Sequence, residues 1–75
     1  MSNGYALYDY TAQQGDELNL REGQLLVVFE DLDADWCYAK YQDSTSDDQF
    51  LVPKAYVKVF SDDSWGFFFL FIHNF

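Results

Sequence analysis

Apolar residues in this chain come in short bursts separated by polar turns, and no stretch keeps a helical period. Residues 5 to 10 read as a first short strand, followed by the polar segment "TAQQGDE" around Gly15, which suits a loop. Leu18 and Leu20 then share a face. After the turn "REG" comes the run from Leu25 to Phe29, a strand with Leu26 and Val28 on one side. "EDLDAD", residues 30 to 35, packs four acids into six positions, and their mutual repulsion favours an exposed loop. "WCYAKY" (36 to 41) is rich in residues that fit a pleated surface and reads as a third strand. "QDSTSDD" is a turn cluster, Phe50 to Val52 a strand stopped by Pro53, and "AYVKVF" the last alternating segment. Five short strands without helices predict a compact all-β barrel or sandwich, with Ala6, Leu18, Leu20, Leu26, Val28, Ala39, Val52 and Val57 as its core.

The chain has 75 residues, enough for one domain, and a domain this small buries only about 60% of the surface its unfolded chain exposes. Its single cysteine, Cys37, allows no internal disulfide. No basic and apolar secretory layout occupies the first twenty residues, which predicts a cytoplasmic chain. Four basic against thirteen acidic residues give a net charge of -9, which opposes nucleic acid and anionic membrane surfaces and favours a cationic partner. For any one carboxylate, plain solvation of an aromatic-rich chain is the rival reading.

Catalysis and metal binding find little support. "DLDAD" has the alternating acids of a calcium loop, but Trp36 stands where a glycine is needed and Gln42 where a glutamate is. A nucleophilic pair would have to be Cys37 and His73, with no third group to orient them. One histidine and one cysteine do not make a tetrahedral zinc site. The expectation is a non-enzyme without cofactors.

Once the core is assigned, Tyr8, Tyr10, Trp36, Pro53 and Tyr56 remain, all ring-bearing and spread over separate segments beside two acidic loops. Paired phenols such as Tyr8 and Tyr10 could serve a core, but each hydroxyl would then need a buried partner, and a groove open to water satisfies ring and hydroxyl together. In order, "ALYDY", "DELNLREG", the tryptophan of "WCYAK" and "LVPKAYV" resemble the Src homology 3 (SH3) domain over about residues 5 to 60. The resemblance implies a small five-stranded SH3-like barrel of two packed antiparallel sheets, serving as an adaptor module.

It also implies that Tyr8, Tyr10, Trp36, Pro53 and Tyr56 line a groove for proline-rich peptides in the polyproline II conformation. Such a ligand is stiff before it binds, so flat rings can grip it at little ordering cost. The family's acid for a ligand Arg or Lys falls on Glu17, with Asp16 next to it, and Asp35 adjoins Trp36. Family members commonly carry a second tryptophan where this chain has Cys37, which implies a trimmed outer wall of the pocket. Ala55 replaces the usual asparagine before the last groove tyrosine, and Phe50 the usual glycine before "LVP".

Residues 61 to 75, "SDDSWGFFFLFIHNF", follow the resemblance and carry six aromatics in their last eleven positions. The apolar run is too short to span a bilayer, which takes about 20 residues. It is either foreign to the domain, through a shifted reading frame or as the start of a longer protein's continuation, or a segment that must find cover. The cover could be its own barrel, a second copy through self-association, or the groove.

Overall fold

The computed structural model describes residues 1–60. Its strands are β1 (Ser2–Ala6), β2 (Leu25–Asp31), β3 (Trp36–Tyr41), β4 (Phe50–Pro53) and β5 (Val57–Val59), with one turn of 3-10 helix at Lys54–Tyr56. The ladder is antiparallel throughout and runs β4-β3-β2-β1-β5, the five-stranded all-β architecture expected. The aromatic segment 61–75, expected to be either foreign to the domain or covered by a barrel or the groove, and His73 within it lie outside the described residues.

Alternation along β2 and β3 turns Leu26, Val28, Cys37 and Ala39 to one side, where they are buried with Ala6, Leu18, Leu20 and Val52. Leu18 and Leu20 come from the long connection between β1 and β2, which folds back over the core. Its two limbs are joined by reciprocal backbone bonds, Tyr10 N–H to the Leu20 carbonyl at 2.9 Å and Leu20 N–H to the Tyr10 carbonyl at 2.8 Å. One limb also reaches β4, where Leu18 N–H donates to the Leu51 carbonyl and Leu51 N–H to the Asp16 carbonyl. That contact covers the free edge of β4, which a closed fold requires.

Three expectations are corrected. The first strand occupies residues 2–6 rather than 5–10: β1 pairs with β5 only as far as Ala6 opposite Val57, after which Leu7 N–H bonds the Tyr56 carbonyl and the chain leaves the sheet. Val57 is only partly buried, because it opens a three-residue strand at the sheet edge. Cys37, left out of the expected core, belongs to it. It lies two residues from Ala39 on the inward face, 3% exposed, and burial pushes its thiol pKa up, with Asp31 adding to the effect.

Two glycines are required by local geometry. A Cβ on Gly4 would stand 2.6 Å from the Lys58 carbonyl oxygen, so a side chain there would push β1 and β5 apart. Gly23, at φ +86°, closes the turn between Arg21 and Gln24 and donates its N–H to the Ala6 carbonyl at 2.7 Å. The β2–β3 register slips between Val28 and Asp31: three steps on β2 answer two on β3. The extra residue is a β-bulge, which bends and twists β2 at Phe29 and Glu30. Among the described residues no helix is long and apolar enough to cross a membrane.

Candidate functional site

Four rings from three segments meet in one line. Tyr8 and Tyr56 have centroids 5.3 Å apart, Tyr56 and Tyr10 5.7 Å, and Tyr10 and Trp36 6.4 Å, each pair edge to face. This is the arrangement in which a ring's positive edge meets its neighbour's negative face. Tyr8 and Tyr10 do not share a strand face. They converge because Tyr56, on the one-turn helix, stands between them and its carbonyl accepts from Leu7 N–H. Pro53 pairs with Trp36 in the β3–β4 register and leads directly into that helix. Proline is tolerated here because it is the last residue of β4, two positions past Leu51, where the connecting segment bonds the strand's outer edge. None of these rings is fully buried, and Tyr8 is 57% exposed.

At the Trp36 end lies an open hollow of about 300 Å³ lined by Gln14, Asp16, Glu17, Leu32, Asp33, Trp36 and Leu51. Glu17 is held there by two donors to one oxygen, the Tyr10 hydroxyl at 2.5 Å and Gln13 N–H at 3.0 Å. Asp33 is fixed by Asp35 N–H and Trp36 N–H, which both donate to its Oδ1 at 2.8 and 3.0 Å. Each of these carboxylates keeps a second oxygen outside those bonds. Among the described residues, Asp16, Glu17 and Asp33 form no ion pair. The hollow is therefore a negatively charged recess against an indole, suited to a cation that can also stack.

Asp35 is not among the residues lining the hollow; its carbonyl accepts Lys54 N–H at 2.9 Å. The lysine's Nζ in turn donates to Asp31 at 2.6 Å, which raises its pKa. Sequence reasoning missed Gln14, Leu32 and Leu51, and placed Asp33 in the loop without giving it a role. The signal for Asp33 was present: an aspartate two and three residues before free N–H groups caps them in an Asx-type turn.

The bond to Glu17, with desolvation and the carboxylate's charge behind it, pushes the Tyr10 phenol from 10.0 up to about 12. The folded chain thus holds this proton more tightly than the unfolded chain does. That stabilising contribution is complete below pH 10 and is lost as pH rises through about 12. Glu17→Gln should return the Tyr10 titration toward the ordinary tyrosine range. Tyrosine-resolved NMR titration of both proteins checks this, and an unmoved Tyr10 would refute the assigned cause.

A model of the SH3 domain matches residues 5–53. SH3 domain-containing protein 19 of Mus musculus is 37% identical over 57 residues, 76% of this chain and 7% of that protein. Intersectin-2 of Mus musculus is 42% identical over 57 residues, 76% of this chain and 3% of that protein. The chain spans less than a tenth of the length of these relatives. Among solved structures, the SH3 domain of yeast Nbp2p in complex with a peptide from Ste20p superposes with a TM-score of 0.72 at 24% identity. That likeness covers 83% of this chain and 90% of the other, and it is one of fold.

Proposed function

The chain belongs to the SH3 domain family, and from that premise we propose that it is a non-catalytic interaction module that binds proline-rich peptides carrying Arg or Lys. The observation that carries this reading is the continuous line Tyr8, Tyr56, Tyr10, Trp36 running into the acidic hollow. Tyr8, Tyr10, Trp36, Pro53 and Tyr56 grip the ridges of a polyproline II segment, which has three residues per turn and a solvated backbone. The hydroxyls of Tyr8 and Tyr56 can donate to ligand carbonyls, whereas the Tyr10 proton is already given to Glu17. Asp16, Glu17 and Asp33 meet the ligand cation in the hollow, and Asp35 adds negative charge to the same rim.

Magnitudes divide the work between rings and charges. An exposed ion pair contributes about 0.2–1 kcal/mol, and a guanidinium stacked on an indole about 0.5–2 kcal/mol more. Charge then selects the partner and its orientation, while the rings supply most of the affinity. A shallow groove with few anchors gives binding of about micromolar strength, or about -8 kcal/mol. A proline-rich peptide array probed at two salt concentrations tests the reading. Peptides with Arg or Lys should bind best and weaken most in high salt. Hits without proline, or basic hits indifferent to salt, would overturn it.

A further inference from the structure

On the outward side of β2, away from the ring line, lies a second apolar surface. Val27 and Phe29 alternate with buried Leu26 and Val28 and so face outward. Tyr38, two residues from Trp36 on β3, and Gln49 complete a hollow of about 380 Å³ with Phe29 and Glu30. Phe29 and Gln49 also line a neighbouring hollow of about 400 Å³ with Met1, Val27, Lys40, Gln42 and Asp47, so the two join into one trough with an apolar floor and a mixed polar rim. The β-bulge at Phe29 and Glu30 bends the strand along its floor. None of Tyr8, Tyr10, Trp36, Pro53 or Tyr56 lines it.

We propose that this trough is the docking site for the chain's own aromatic segment, residues 65 to 72, placed over Val27, Phe29 and Tyr38. The chain already turns toward that face where the described residues end. Phe60 N–H donates to the Asn3 carbonyl at 2.9 Å, and the Phe60 ring lies 5.6 Å from Tyr5 on the outward side of β1. Asn3 pairs with Val27, and Val27 with Lys40, so β2 and β3 lie two and three strands from Phe60, about 10 and 14 Å. Five residues from Phe60 to Trp65 reach at most about 17 Å, which suffices.

Composition and reach favour this trough over the ring line. Residues 61 to 75 contain no proline, lysine or arginine, and carry Asp62 and Asp63. They therefore lack what an acid-lined groove selects, and the carboxylates of Asp16, Glu17 and Asp33 repel them. At the trough Lys40 is paired with Asp47 at 3.9 Å, which offsets that carboxylate, and Lys58 stands opposite Tyr5 on the same sheet. A run of six apolar residues, Phe67 to Ile72, with no such cover would expose a patch of the kind that drives association.

The test is a set of nuclear Overhauser contacts in the unmodified chain. Expected are contacts from the Trp65 indole and the phenyl rings of Phe67, Phe68, Phe69 and Phe71 to the Val27 methyls and the rings of Phe29 and Tyr38. Isotope-filtered spectra of a mixture of labelled and unlabelled chains should show none of them between molecules. Val27→Glu, on the half-buried outward side, should abolish them and raise acrylamide quenching of Trp65 several-fold in a Trp36→Phe background. Contacts to Tyr8, Tyr10 or Tyr56 would place the segment in the ring line, and intermolecular contacts would place it on a second copy. Either result, or no contacts at all, would overturn the proposal.

Discussion

Trp36→Ala should weaken binding of a proline-rich basic peptide by about thirtyfold or more, while the domain stays folded. Buried aromatic anchors at interfaces cost about 2 kcal/mol or more when truncated, which is that factor in affinity. Trp36 holds two positions at once, closing the ring line against Tyr10 and forming one wall of the acidic hollow. No single carboxylate in the hollow has that reach, since an exposed ion pair contributes at most about 1 kcal/mol. The indole is only partly buried and lies outside the core, so its loss should leave the core residues in place. Calorimetric titration, paired with an amide NMR spectrum of the variant, decides the matter. A dispersed spectrum with undiminished affinity would remove the ring line from the binding site.

Leu26→Ala is the substitution expected to damage the fold itself. Leu26 and Val52 are the largest side chains with essentially no exposed surface, and Leu26 sits mid-sheet, between Gly4 on β1 and Tyr41 on β3. Truncating such a leucine costs about 2–5 kcal/mol, the transfer of its methyl groups plus the cavity left behind. A domain of about 55 residues has roughly 3–8 kcal/mol to lose. About half or more of the stability should then be lost, as a lowered midpoint in urea titration followed by tryptophan fluorescence would show. A loss under about 1 kcal/mol would mean that the neighbours collapse into the space.

Where a segment's alternation is enforced by burial on one face, its role was legible. Leu26 and Val28 had only one way to sit, and Ala39 followed from the same parity on β3. That parity also governs Cys37, yet the family pattern drew attention to a missing tryptophan instead of to the side of the strand the residue occupies. The start of β1 was hidden for another reason. Ser2, Asn3 and Gly4 have weak strand preference, and their pairing is non-local: Ser2 and Asn3 lie against Val28 and Val27 on β2, and Gly4 also lies against Val59 on β5, more than fifty residues away, where a glycine leaves room for the Lys58 carbonyl.

The binding-site rings were legible as types in a pattern, but their convergence was not. Tyr8 and Tyr10 meet through Tyr56, and nothing in a two-residue spacing encodes that. Composition gave the acids beside Trp36 without their aim. Asp33 and Asp35 look equivalent in the sequence, and the backbone N–H groups of the loop select the first for the hollow.

Lys54 ties the acidic loop to the helical turn bearing Tyr56 twice over, through its main-chain N–H and through its ammonium. Trp36 and Tyr56 thus stand on banks braced against each other before any ligand arrives, and less ordering remains for the encounter itself. The outer strut is solvent-exposed, however, and ions in solution weaken it along with every other surface charge. Even an uncharged proline-rich ligand should then bind somewhat less well as salt rises, because the receptor itself slackens. Only the additional sensitivity of a basic ligand, measured against that baseline, reports on the carboxylates beside the indole.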